Sequence, residues 1–173
     1  RLKVPFPLLL RELLPTYLIA LSTASSSAAL SVNLETCEKR LGISPHISGF
    51  AVPLGQVMFK VGAAVGFLIL ALGLAEFYGV AMPLPWVVTG VLVSGLLAAA
   101  APPVPGGSLT CYTVLLTQLG IPEEAVGLAV AGNVILDFFM TSCGISCLQS
   151  ELTLASNRLG MLDVETLRRR ADK

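Results

Sequence analysis

The feature that most limits what this chain can fold into is the placement of its charges. Between Glu76 and Glu123 lie 46 consecutive residues without a charged side chain. Between Arg40 and Glu76 only Lys60 is charged, and between Glu124 and Glu151 only Asp137. A helix that crosses a bilayer needs about 20 apolar residues, and each of these stretches can hold one. A soluble core helix does not need two such stretches in succession. Charged residues make up only 13% of the chain, about half the share of a soluble domain, and the mean hydropathy is +0.81. The sequence therefore predicts an integral, multi-pass membrane protein.

Several function classes drop out on the same grounds. The net charge is zero, so no basic surface points to nucleic acid. No nucleophile–base pair, metal set or phosphate loop argues for an enzyme or a cofactor. The four cysteines form no CxxC, and Cys143 with Cys147, one helical turn apart, makes a thin site even for a soft metal. A short apolar run behind Arg1 and Lys3 is not a signal peptide, because no small-residue cleavage pattern precedes a soluble body. The first residue is not a methionine, and we expect a longer natural chain.

Punctuation divides the apolar sequence into four parts. Residues 7–41 hold two short arms around Ser22-Thr23-Ala24-Ser25-Ser26-Ser27. Neither arm is long enough to cross alone, so they read as a re-entrant hairpin, entering and leaving by one face. Residues 45–79 form a span interrupted at Pro53, Gly55 and Phe59-Lys60-Val61-Gly62, which predicts a broken helix whose freed backbone groups face protein or water. Residues 86–120 form a second hairpin, with its tip at Ala101-Pro102-Pro103-Val104-Pro105-Gly106-Gly107-Ser108. Residues 123–150 form the last span, carrying Asp137 and expected to loosen at Gly144. A polar tail, 151–173, holds Arg158, Arg168, Arg169, Arg170 and Lys173.

The expected fold is thus all-α, with two re-entrant helical hairpins alternating with two transmembrane helices, one of them broken. Each tip precedes its polar break by a similar spacing, Ser25 before Lys60 and Val104 before Asp137 to Gly144. Matched units with broken segments are the sequence sign of an inverted repeat with a site near the bilayer midplane. Arg1, Lys3, Arg11, Lys39, Arg40 and the tail fall on one side, and Glu76, Glu123 and Glu124 on the other. By the positive-inside rule the first hairpin and the tail are expected at the cytoplasmic face of the inner (plasma) membrane.

These residues resemble the dicarboxylate/amino-acid:cation symporters, which include glutamate and aspartate transporters. Leu14-Pro15 through Ser25-Ser26-Ser27-Ala28-Ala29-Leu30 looks like that family's serine-rich hairpin. Leu41-Gly42-Ile43-Ser44 with Val52-Pro53-Leu54-Gly55 looks like the approach to its broken helix. Val104-Pro105-Gly106-Gly107-Ser108 and Gly120-Ile121-Pro122 look like its second hairpin, and Ile135-Leu136-Asp137 with Thr141 like its last helix. The resemblance implies the transport-domain half (1–150) of a secondary transporter moving a small solute by an elevator-like displacement. It implies partners as well: a bilayer, missing N-terminal scaffold helices, and a homotrimer formed through them.

The departures from the family are as informative. The family usually reads Asn-Met-Asp-Gly-Thr in the broken helix, where this chain reads Phe59-Lys60-Val61-Gly62-Ala63. The arginine that meets an acidic substrate would fall at Met140, its alternative in the first hairpin at Ala24, and two sodium ligands at Gly144 and Leu148. The resemblance therefore implies degraded sodium sites and a substrate without a second carboxylate. Candidate substrate contacts are Ser26 and Ser27 at the first tip, Val104, Gly106, Gly107 and Ser108 at the second, and Asp137 with Thr141 one turn on. A carboxylate isolated at membrane depth costs several kcal/mol and is a functional suspect. Lys60 reads either as a tethered cation in place of coupling sodium, able to pair with Asp137, or as a snorkelling side chain. A non-transporting, decayed or split component of a symporter-like assembly is the alternative function.

Overall fold

The computed structural model describes residues 6–171, with side chains from Pro7 to Leu167. Arg1, Lys3 and Lys173 lie outside these residues, as do the side chains of Arg168, Arg169 and Arg170. The described chain is all-helical: α1 Phe6–Thr23, α2 Leu30–Glu35, α3 Pro45–Met58, α4 Val61–Phe77, α5 Leu84–Ala100, α6 Leu109–Gln118, α7 Ala125–Arg158 and α8 Val164–Ala171. A π-helical turn, Thr36–Arg40, prolongs α2. Helix starts follow local chemistry. Pro45 stands in the first turn of α3 behind Ser44, and Pro85 in the first turn of α5, where the missing proline N–H has no partner to lose.

The α3–α4 segment, Pro45–Phe77, and α7 are both long and apolar enough to cross a membrane. The helical path breaks at Phe59–Lys60, whose backbone leaves the α-helical region. Pro53, by contrast, is absorbed inside α3. The last span differs from expectation: α7 is continuous through Gly144 and runs on to Arg158. Its reason lies in packing. α4 crosses α7 so closely that a methyl group at Gly62 would overlap the Met140 carbonyl oxygen, and one at Gly66 would overlap the Met140 sulfur. Gly144 faces the Gly62 backbone nitrogen across the same contact. Its propensity cost of about 1 kcal/mol is outweighed by the close approach that small residues permit between apolar helices.

α7 is the central element, with α4 on one side and α1 on the other. One core cluster joins α4, α5, α6 and the start of α7 around Phe67, Tyr112 and Leu115; the Phe67 and Tyr112 rings meet edge to face at 5.0 Å. A second cluster joins α1, the π-helical turn, α3 and α8 through Leu13, Cys37, Val52 and Leu167. The tail folds back on the exit of the first helical pair. Asp163 N–H donates to the Gly42 carbonyl at 2.8 Å, and the Asp163 carboxylate caps α8.

Between α1, α2 and α7 lies a fully buried polar network. Gln149 Nε2 donates to Thr16 Oγ1 at 2.9 Å and to Asn33 Oδ1 at 2.8 Å, and Thr16 bonds Thr36 at 2.9 Å. These bonds fix how the first helical pair sits on α7, although Asn33 Nδ2 and Gln149 Oε1 have no partner within the network. Gln149→Leu should lower stability by about 1–3 kcal/mol by removing two buried hydrogen bonds, to Thr16 and to Asn33. Thermal unfolding in detergent checks this. Gly62→Ala should destabilise on the scale of core overpacking, about 1–3 kcal/mol, by the same measurement.

Candidate functional site

Four chain segments meet around one cavity. The first is the α1–α2 link, where Ala24 takes a left-handed φ of 48° and is buried. The second is the Phe59–Lys60 break. The third is the α5–α6 link, 101–108, and the fourth element is the stretch of α7 from Asp137 to Leu148. Between them lies a cavity of about 50 Å³, lined by Ser26, Gln56, Lys60, Ser108, Asp137 and Thr141 together with apolar residues that include Phe59, Val104 and Met140. That volume holds a few waters at most by the usual probe-sphere measure, so the tips stand closed.

Direct hydrogen bonds close them. The Pro103 carbonyl accepts from Ser27 Oγ at 3.0 Å, from Ser27 N–H at 3.4 Å and from Ser25 Oγ at 3.4 Å. The Lys60 ammonium donates to the Ala101 carbonyl at the end of α5. Asp137 Oδ2 accepts from Gly106 N–H at 3.3 Å. Lys60 lies between the end of α3 and the start of α4, as the N-cap of α4, but its ammonium reaches the end of α5, where the partial negative charge of a helix C-terminus favours a cation.

The sequence-derived candidates divide into three groups. Ser26, Val104, Ser108, Lys60, Asp137 and Thr141 all line the cavity. Ser27 ties the two tips together from the outside, and Gly106 reaches Asp137 through its backbone. Gly107 is a turn residue: a side chain there would collide with the Pro102 and Val104 carbonyls. Ser108 is committed to Asn133 Oδ1 at 3.2 Å, which also accepts from the Tyr112 hydroxyl at 2.9 Å. Lys60 and Asp137, which the sequence left able to pair, line one cavity, and each bonds a backbone group of the second tip.

Sequence reading missed Gln56, Phe59 and Asn133. Gln56 is 94% buried, lines the cavity and has an amide nitrogen without a hydrogen-bond partner. Its signal was present as an uncharged amide within a long apolar run, but the run does not say which way it faces. Among the described residues, no group of three or more His, Cys, Asp or Glu side chains could hold a metal ion. Among the described residues, the charged ones on the cavity wall are Lys60 and Asp137, and Met140, Gly144 and Leu148 carry no side-chain carboxylate or amide.

The first tip also carries a stability prediction. A non-glycine residue in the left-handed region costs on the order of 1 kcal/mol, and a β-branched one more. Ala24→Val should therefore destabilise by more than about 1 kcal/mol, whereas Ala24→Gly should be near neutral or stabilising; paired melting curves test both.

The sequence profile of the sodium:dicarboxylate symporter family matches residues 3–147. An excitatory amino acid transporter of Caenorhabditis elegans is 32% identical over 136 residues, covering 79% of this chain and 27% of the relative. Human excitatory amino acid transporter 2 is 31% identical over 129 residues, covering 75% of this chain and 22% of the relative. An excitatory amino acid transporter of Onchocerca volvulus is 31% identical over 136 residues, covering 79% and 28%. The chain thus spans about a quarter of the length of these relatives. The family is one of membrane transporters rather than enzymes, and with its profile matching all but the chain's ends, this chain belongs to the sodium:dicarboxylate symporter family.

Proposed function

We propose that the protein carries out secondary active or facilitative transport of a small amino-bearing or carboxylate solute across the inner (plasma) membrane. The observation that carries this reading is the meeting of the two tips over a cavity whose charged residues are Lys60 and Asp137. The α1–α2 and α5–α6 pairs act as re-entrant hairpins of an inverted repeat, and the solute binds between their tips, near the bilayer midplane. Asp137 receives the solute's ammonium group. Ser26 and the backbone of both tips receive its carboxylate, and Thr141 borders the same space. Opening of the second tip admits the solute, and closure precedes an elevator-like displacement against scaffold helices, in a trimer built through them.

Coupling is not to sodium in the usual way. Lys60 supplies a tethered positive charge at the end of α5, where its ammonium already bonds the Ala101 carbonyl. A fixed cation at that place removes the electrostatic need for a mobile one. Lys39 and Arg40 stand beside Glu35 and Glu12 at the base of the first helical pair, consistent with a cytoplasmic face there by the positive-inside rule.

Labelled amino-acid uptake by cells expressing the protein at its natural length tests this proposal. Uptake should be the same whether the medium contains sodium or choline, and Lys60→Met should abolish it or make it depend on sodium. Wild-type uptake that requires sodium, or unchanged sodium-free uptake by Lys60→Met, would contradict the tethered-cation mechanism.

A further inference from the structure

We propose that Gln56 is the specificity-determining residue of the cavity, and that it selects solutes carrying a neutral, hydrogen-bonding side chain such as a hydroxyl or carboxamide. This inference rests on the transport reading above. It starts from an unpaired donor. Gln56 lies in the last turn of α3, 6% exposed, and its amide nitrogen has no hydrogen-bond partner. Buried side-chain amides usually find partners, and one that does not is a group awaiting an acceptor or a site of stored instability. Asn33, Ser94, Gln149 and Ser156 also hold a buried polar atom without a partner, but of these residues and Gln56 it is Gln56 that lines the cavity, with Ser26, Lys60, Asp137 and Thr141, so a turn of its side chain brings the amide to whatever enters there.

Charge counting narrows the solute. The wall carries one ammonium, on Lys60, and one carboxylate, on Asp137. A zwitterionic head group, with one ammonium and one carboxylate, matches these two charges. It leaves no wall charge for a further ionised group, and a buried charge without a partner is strongly disfavoured. The rest of the wall is neutral: Gln56 with an amide, and Phe59, Ala63, Met140, Ile145 and Leu148 with apolar surface. An amide can both donate to and accept from a hydroxyl or carboxamide. It distinguishes such a group from a methyl because the methyl leaves it unpaired, which is how buried polar sites reject analogues lacking a polar atom.

The Gln56 position also suits selection rather than closure. The bonds that join the tips run through Ser25, Ser27, Lys60, Gly106 and Asp137, and none involves Gln56. Replacing it removes a donor from the binding surface without breaking a closing contact. Gln56→Leu fills about the same space and removes the unpaired donor, so the unliganded variant should melt no lower than wild type.

The test is equilibrium binding of L-serine, L-asparagine, L-alanine and L-aspartate to the purified full-length protein, in wild type, Gln56→Leu and Gln56→Met. Wild type should bind serine and asparagine more tightly than alanine, and aspartate most weakly. In both variants the serine-over-alanine preference should fall by about tenfold, the scale of one buried hydrogen bond. A merely structural role would weaken serine and alanine alike and leave their ratio intact. An unchanged ratio in both variants, or tightest binding of aspartate by wild type, would overturn the role of Gln56 while leaving transport in place. If wild type binds none of the four, the amino-bearing solute of the transport reading fails, and this inference with it.

Discussion

The Pro103 carbonyl oxygen is the hinge point of this architecture. A helix broken inside a membrane leaves backbone groups that cannot turn to lipid for hydrogen bonds, and here the second tip, rich in proline, offers carbonyls that no proline N–H can answer. The first tip answers them. Ser25 and Ser27 supply two hydroxyls and a backbone N–H to Pro103, and Lys60 reaches the preceding turn at Ala101. Residues far apart in sequence are joined because each tip lacks what the other has to offer. The cavity follows from that joining, since it is the space left between the two tips, the Phe59–Lys60 break and α7.

Beneath the tips the structure is built to stay put. α4 and α7 meet through Gly62, Gly66 and Gly144 with almost no space between backbones, and the Gln149 network anchors the first helical pair to the same α7. The second tip is fastened by hydrogen bonds: three to the Pro103 carbonyl at 3.0 to 3.4 Å, one from Gly106 N–H to Asp137, one from Ser108 Oγ to Asn133, and the Lys60 contact.

Much of this could be read from the sequence, and the reasons are physical. Charge-free runs announce apolar helices because a charge in lipid is costly, and Pro102, Pro103 and Pro105 announce a reversal because their rings cannot continue a helix. What pattern could not give was direction. Gln56 sits in an apolar run whose period does not say which face meets the cavity, and Asn133 likewise gave no sign that it would collect Ser108 and Tyr112. Gly144 pointed toward a loosened helix, yet α7 stays continuous there because α4 packs on it. Lys60 and Asp137 were legible as isolated charges, but their partners were not. Each bonds a backbone group of the second tip, and backbone partners leave no mark in sequence.

The central claim is that a solute binds where the tips meet and needs no sodium to do so. Hydrogen–deuterium exchange of the purified protein, with and without a bound amino acid in sodium-free buffer, tests it most directly. The account predicts slower exchange confined to the two tips, residues 24–29 and 102–109, and to the break at Phe59–Val61. Protection that appears only when sodium is added, or that falls elsewhere in the molecule, would contradict it.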